Sequence, residues 1–256
     1  MNESRIKSNI QISENYFLME IESPDDIKDI KPGHFLNLRV NSINSTDPLL
    51  RRPISIHDYN PESGSVFLLY KRVGRGTEIL STYKKDDKIN FLGPLGNGFT
   101  VDFKKKKILL MGGGMGAAPL YYLCRVLSRE NRLTVLLGAN DKDELVYFLE
   151  IFKNTGAEVH SASIDGSCGH KGNVIDLCLM ENIYDYDYIY SCGPVPMLKE
   201  LQKLAFEKDL KGEFSLEERM GCGIGLCLSC VCKTVKGNQR VCKEGPVFPL
   251  EEVIFE

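Results

Sequence analysis

The sequence predicts a multi-domain chain: an N-terminal antiparallel all-β unit, a central α/β unit on a parallel sheet, and a short cysteine-rich C-terminal segment. Three observations carry this reading. The first hundred residues are short apolar or alternating runs separated by Gly/Pro turns. From Lys104 onward, compact apolar runs alternate with stretches of helical apolar spacing, the pattern of a parallel sheet covered by helices. Around Gly212 the alternation stops, and five of the nine cysteines crowd into the tail. A chain of 256 residues has room for more than one compact unit. The division expected is 1–102, 103–212 and 213–256.

In the first unit, strands are expected at Tyr16 to Ile21, Phe35 to Val40, Ile54 to His57, Val66 to Lys71 and Ile89 to Leu92. The turns between them are Pro32-Gly33, Pro61-Glu62-Ser63-Gly64, Gly74-Arg75-Gly76 and Gly93-Pro94. Short strands at this spacing suit a small barrel or a sandwich. In the second unit, strand Ile108 to Met111 runs into glycines, and Leu120, Leu123, Cys124 and Leu127 fall at helical spacing. Strand Leu133 to Leu137 follows. Asp141 and Glu144 have capping-box spacing ahead of the stripe Leu145, Phe148, Leu149 and Phe152. Strand Glu158 to Ile164, helix Val174 to Met180, strand Tyr188 to Ser191 and helix Met197 to Phe206 complete the series.

Composition narrows the function classes. The apolar fraction of 43% and charged fraction of 26% are ordinary for a globular chain. A net charge of −3 gives no reason to expect nucleic acid, and Lys104 to Lys107 reads as a solvated turn before a strand. Met1 to Ile10 carries Glu3, Arg5 and Lys7 and so lacks the apolar core of a secretory signal. Ile108 to Cys124 is uncharged for 17 residues, but its glycines and Pro119 break any spanning helix. No membrane segment is expected. An odd cysteine count in such a chain favours a metal site in a reducing cytoplasm over a disulfide framework.

Cys222-x4-Cys227-x2-Cys230, with Cys242 after eleven intervening residues, is the plant-type ferredoxin spacing for a [2Fe-2S] cluster. Two sulfide-bridged irons need four thiolates, three of them from one wrapping loop. Gly221, Gly223 and Gly225 let that loop turn tightly and aim N–H groups at the sulfurs. A structural zinc site also uses four cysteines, but commonly as two short pairs, and only Cys227/Cys230 is one. Cys232 is left out of the ligand set.

Gly112-Gly113-Gly114-Met115-Gly116 between strand and helix would let a pyrophosphate approach the backbone at a helix N-terminus. By itself such a turn also serves plain steric needs. After the second strand, Gly138-Ala139-Asn140-Asp141 offers no arginine for a 2′-phosphate, which leans toward NAD, with Lys142 nearby. Arg51-Arg52 could be an ordinary solvated pair; arginine also suits a phosphate clamp. No triad or carboxylate pair stands out, and His34, His57, His160 and His170 are scattered.

Taken together, Arg52-Pro53-Ile54-Ser55, the turn Gly112 to Pro119 and Cys192-Gly193-Pro194 resemble the ferredoxin reductase family of flavoproteins. The C-terminal cysteines, with Gly93 to Phe99, Asp165-Gly166-Ser167 and Cys242 to Phe248, look like the electron-transfer subunits of type B dihydroorotate dehydrogenases. The resemblance covers nearly the whole chain. It implies an N-terminal antiparallel β-barrel, a central α/β parallel-sheet nucleotide-binding domain and a C-terminal [2Fe-2S] segment. It implies FAD held by Arg52, Pro53, Ile54, Ser55, Leu69, Tyr70, Lys71, Gly76 and Thr77. NAD would meet Gly112, Gly113, Gly114, Met115, Gly116, Cys192, Gly193 and Pro194. The cluster ligands would be Cys222, Cys227, Cys230 and Cys242. The implied partner is an FMN-containing catalytic subunit that oxidises dihydroorotate, two of each chain forming a heterotetramer. Electrons would pass from that subunit through the cluster and FAD to NAD+. Two alternatives stay open: the same scaffold serving a ferredoxin or hydrogenase partner, and a non-enzymatic nucleotide-binding module with a zinc-stabilised tail.

Overall fold

The computed structural model describes residues 2–24, 27, 29–41 and 47–255. Six strands close the N-terminal barrel: β1 (Asn2–Gln11), β2 (Tyr16–Glu22), β3 (Phe35–Arg39), β4 (Arg52–Asn60), β5 (Ser65–Lys71) and β6 (Lys88–Leu95). A short helix α1 (Arg75–Thr82) crosses between β5 and β6. Neighbours run β1-β2-β5-β4-β3-β6, with β6 returning to β1, and every pairing is antiparallel. Inward side chains such as Ile6, Met19, Leu38, Ile56, Leu68 and Phe91 are buried and fill the interior.

Two of these elements were not expected. β1 carries only one strongly apolar inward residue, Ile6, between Ser4 and Ser8, so its alternation is faint; Met1 lies outside the described residues. α1 begins at a glycine pair with low helix propensity. Thr77 fastens its start: the hydroxyl accepts from Val73 N (3.0 Å) and donates to Gly74 O (3.0 Å).

The second unit is built on β7 (Lys107–Gly113), α2 (Ala117–Leu127), β8 (Arg132–Ala139), α3 (Lys142–Lys153), β9 (Glu158–Ser163), β10 (His170–Lys171), α4 (Val174–Met180), β11 (Tyr188–Cys192) and α5 (Val195–Glu207). A 3-10 turn, Gly114–Gly116, joins β7 to α2. The alternation does not stop at Gly212. Strand β12 (Gly212–Ser215) pairs in parallel with β11, and β15 (Val247–Pro249) pairs antiparallel with β12. Glu213 obscured β12 in the sequence; its buried carboxylate accepts from Thr100 N (3.0 Å) and Thr100 Oγ1 (2.6 Å). The hairpin β13 (Val231–Thr234) and β14 (Gly237–Arg240) stands apart as a small second sheet.

The sheet order β10-β9-β8-β7-β11-β12-β15 reverses direction between β7 and β11. In open α/β sheets, a crevice for ligands opens beyond the strand C-termini at such a reversal. Here that point is the glycine turn after β7 beside Cys192-Gly193-Pro194 after β11. The uncharged run Ile108 to Cys124 is thus strand, turn and helix. Among the described residues no helix is long and apolar enough to cross a membrane. The lysine run behaves as a solvated turn, with Lys104 2.9 Å from Glu130 and Lys106 3.1 Å from Asp187.

Barrel and sheet are joined through β4 and α2. His57, 2% exposed, places Nδ1 2.8 Å from the carbonyl of Ala118 and Nε2 3.2 Å from the Tyr147 hydroxyl. A carbonyl can only accept, so Nδ1 carries the proton and Nε2 accepts from Tyr147. The ring stacks on Tyr121 at 4.9 Å. Beside it Arg125 pairs with Asp58 at 2.7 Å and donates to the carbonyl of Tyr59.

Candidate functional site

A cavity of about 340 Å³ opens on the barrel side of this joint. Its lining includes Arg52, Pro53, Ile54, Ser55, Leu69, Tyr70, Lys71 and Thr77, eight of the nine residues expected to hold FAD. The ninth, Gly76, sits beneath Arg52, where an added Cβ would lie 2.3 Å from Nε. The two arginines of the motif part company. Arg51 donates to the carbonyls of Asn37 and Asn90 and to Asn90 Oδ1 (2.6 Å), so it is spent on barrel structure. Arg52 is held by the carbonyl of Leu50 at 2.7 Å and faces the cavity. Tyr70 points its hydroxyl to Asn9 Oδ1 at 2.9 Å, and burial pushes its pKa up to about 12.

A second cleft, about 830 Å³, lies at the sheet reversal. Gly113, Gly114, Met115, Gly116, Gly193 and Pro194 line it, whereas Gly112 and Cys192 do not. Those two face each other across β7 and β11, one step inside the sheet. Burial drives the Cys192 thiol well above its usual range. Two glycines are sterically required: a Cβ on Gly116 would lie 2.3 Å from the Cys192 carbonyl oxygen, and one on Gly113 would lie 2.8 Å from Met197 Sδ. Gly114 has φ +53 and open space around its Cβ position. The cleft continues into a pocket of about 460 Å³ along Gly138, Ala139 and Asn140.

At the expected capping box, Asp141 accepts from Glu144 N at 3.1 Å, but Glu144 reaches back to Asn140, not to Asp141. Its other oxygen lies 2.6 Å from Lys71, a bridge between α3 and the end of β5.

Several lining residues were not anticipated from sequence. Leu216, Glu217 and Glu218, which follow β12, line both cavities. Glu217 is exposed to the cavities it lines, and desolvation by the protein around it raises its carboxyl pKa. Val231, Lys233 and Asn238 of the β13–β14 hairpin form part of the wall of the larger cleft. They come together only because the tail folds back along the sheet, which no local pattern announces.

The tail then turns through the four cysteines. Sulfur contacts group them in two pairs: Cys222 N lies 3.4 Å from Cys227 Sγ, and Cys242 N lies 3.4 Å from Cys230 Sγ. Burial raises the Cys222 thiol, but N–H groups of Ile224, Cys227 and Leu226, at 3.3–3.5 Å from Sγ, outweigh it and bring the pKa to about 6. Among the described residues no three Cys, His, Asp or Glu side chains converge as they would on a single ion. All nine cysteines are free thiols.

The loop is fastened to the barrel and to the tail's own hairpin. Asn37 of β3 donates to the Cys222 carbonyl at 3.3 Å, and Arg240 donates to the Gly225 carbonyl at 2.6 Å. Glu244 holds Arg240 through N (2.8 Å) and Nε (2.9 Å); these bonds bring its carboxyl pKa down to about 2. Asn97 N donates to the Gly245 carbonyl at 2.6 Å, so the Gly93 to Phe99 and Cys242 to Phe248 segments meet. Met220 and Pro246 flank the cysteines and line the barrel-side cavity.

Barrel, reversed parallel sheet and the cavity between them define the class: an FAD-type ferredoxin reductase fold. The fold is shared with a ferredoxin NADP+ reductase of Neisseria gonorrhoeae solved with FAD and NADP (TM-score 0.68, 11% identity, 81% of this chain and 91% of that one). A chain of the NADH-dependent reduced ferredoxin-NADP oxidoreductase, described for flavin-based electron bifurcation, matches further: TM-score 0.85 and 31% identity over 99% of this chain and 90% of that one. Residues 217–254 match the iron-sulfur cluster binding domain of dihydroorotate dehydrogenase B. The dihydroorotate dehydrogenase B (NAD(+)) electron transfer subunit of Desulforamulus reducens is 42% identical over 262 residues, 99% of this chain and 98% of that protein. That of Lysinibacillus sphaericus is 40% identical over 96% of this chain and 95% of its own length. The chain belongs to the family of NAD-dependent dihydroorotate dehydrogenase B electron transfer subunits.

Proposed function

We propose that this chain binds FAD and a [2Fe-2S] cluster and docks on an FMN-containing catalytic subunit to deliver electrons from dihydroorotate to NAD+. The observation that carries this reading is a shared wall. Ser215, Leu216, Glu217, Glu218 and Met220 line the barrel-side cavity, three of them also line the larger cleft, and the segment leads directly into Cys222. One short segment therefore touches all three candidate sites. When bound, the cluster and FAD supply the conversion between single electrons and the electron pair that NAD+ accepts as hydride.

The chain's own residues bind and orient. Arg52 supplies a two-pronged cation for the FAD pyrophosphate, seated by Gly76 and the Leu50 carbonyl. Ser55 and the strand end Leu69-Tyr70-Lys71 shape the flavin wall. Gly113, Gly114 and Gly116 let the NAD pyrophosphate reach backbone N–H groups, with Gly193 and Pro194 at the nicotinamide end. Cys222 and Cys227 would hold one iron, Cys230 and Cys242 the other. Residues 1–102 serve FAD, 103–212 serve NAD and 213–256 serve the cluster, the last also lending β15 and most of β12 to the sheet. The assembly we infer is a heterotetramer of two of each chain, and nine free thiols fit a reducing cytoplasm.

The test is dihydroorotate-dependent NAD+ reduction with the chain alone, the catalytic subunit alone, and both. Turnover only in the mixture is expected, with roughly two irons and two labile sulfides per chain. Cys222→Ser should remove that turnover; its survival would break the proposed route. The 31% likeness to the ferredoxin-NADP oxidoreductase chain favours a second reading, a ferredoxin-linked partner. Activity with ferredoxin and none with the catalytic subunit would establish it.

A further inference from the structure

Asn37 is a polar side chain on a buried face. Its neighbours Leu36 and Leu38 point into the barrel core, while Phe35 and Asn37 share the opposite face of β3. Asn37 is 0% exposed, and its Oδ1 has no hydrogen-bond partner among the described residues. Its Nδ2 donates to the Cys222 carbonyl at 3.3 Å and packs on Gly223, where an added Cβ would lie 2.4 Å away. A buried amide with an unpaired oxygen costs stability that a leucine in its place would not. Stability is thus a poor reason for an asparagine here, and its N–H on the cysteine loop is the better one. That bond lies between two candidate sites. On the barrel side, Phe35 and Pro53, the register partner of Asn37 on β4, both line the cavity read as the FAD site. On the tail side, N–H groups of Ile224, Leu226 and Cys227 lie 3.3–3.5 Å from Cys222 Sγ, a donor set suited to a thiolate ligand.

We propose that Asn37 is a positioning residue for the cluster: it holds the Cys222–Gly223 peptide with its carbonyl turned to the barrel, and so sets the reduction potential of the bound [2Fe-2S] group. This rests on reading Cys222, Cys227, Cys230 and Cys242 as the ligands. Because the peptide is planar, a carbonyl tied to the barrel directs the Gly223 N–H the opposite way. Without the amide, that carbonyl is free to turn toward the sulfurs, where the negative end of its dipole would disfavour an added electron and lower the potential. The same bond fixes the spacing between the first ligand and the wall of the barrel-side cavity.

The test uses the full chain carrying FAD and cluster, as wild type, Asn37→Leu and Asn37→Gln. The readouts are iron, labile sulfide and FAD per chain, the EPR signal of the reduced cluster, and the midpoint potentials of cluster and flavin. Asn37→Leu is expected to keep FAD at the wild-type ratio, to shift the cluster potential to more negative values and to alter the EPR signal, with the flavin potential unmoved. Asn37→Gln keeps an amide donor and should lie closer to wild type in both cluster readouts. An unchanged cluster potential in Asn37→Leu overturns the proposal. So does an equal shift in the two variants, which would mean that side-chain volume and not the N–H matters. If Asn37→Leu loses iron while Asn37→Gln keeps it, the donor is what holds the loop; iron lost from both overturns the proposal. If wild type carries neither iron nor labile sulfide, the cluster reading falls first and takes Asn37 with it.

Discussion

Gly76 and Gly223 each leave no room for a methyl group, at two different sites. A Cβ at Gly76 meets Arg52 Nε at 2.3 Å, so Gly76→Ala must displace the guanidinium from the cavity wall. FAD affinity is expected to drop about tenfold or more, read from flavin retained after gel filtration and from equilibrium titration. Gly223 has φ +72, and its Cβ would lie 2.4 Å from Asn37 Nδ2, the group that anchors the cysteine loop. Gly223→Ala should therefore lower iron content while leaving bound FAD near the wild-type ratio. Loss of FAD together with iron would show that the two sites are not separately braced. These glycines stood out in the sequence because both lie inside dense local motifs. Glu217 and Lys233 did not, because single charged residues look the same whether they face solvent or a cleft.

Elements were legible where one face is plainly apolar. Helix α4 and strands β5 and β8 lie close to where periodicity puts them. Those obscured were built on polar contacts: β12 needs Thr100 to satisfy Glu213, and α1 needs the Thr77 hydroxyl. The joint between β4 and α2 belongs to the same kind, since His57 gave no functional signal and proves structural. Burial holds its folded pKa near 4, against an ordinary value of 6.5. Between those values the unfolded chain takes up a proton that the folded chain refuses. The stability this provides is thus complete above about pH 6.5 and lost as pH falls toward 4. The difference amounts to about 3 kcal/mol. Urea unfolding at pH 8 and pH 5 should show a smaller acid-induced loss in His57→Gln than in wild type, even though the variant is less stable at pH 8. An equal acid loss in both would place the sensitive group elsewhere.

At the scale of the whole molecule, the rim of the cysteine loop is apolar and open. Ile224 is 45% exposed, Leu226 77% and Leu228 63%, and Cys227 between them is exposed too. Leu228 adopts φ +58, a conformation uncommon for a leucine, which keeps a large side chain on the outside of a tight loop. Grouped exposed apolar side chains on the iron-sulfur binding segment suit a docking surface for the catalytic subunit. Leu226→Glu places a charge there without touching a cysteine. Association with the catalytic subunit, followed by sedimentation or size-exclusion chromatography, is expected to weaken by more than tenfold. FAD content, cluster absorbance and NADH-driven reduction of an artificial acceptor should stay at wild-type levels, since these need no partner. Dihydroorotate-dependent NAD+ reduction should fall at low subunit concentration and recover as the concentration is raised, the behaviour of a weakened interface and not of a damaged relay. Unaltered association would move the docking face away from the cysteine loop, and would require a longer electron path than the fold suggests.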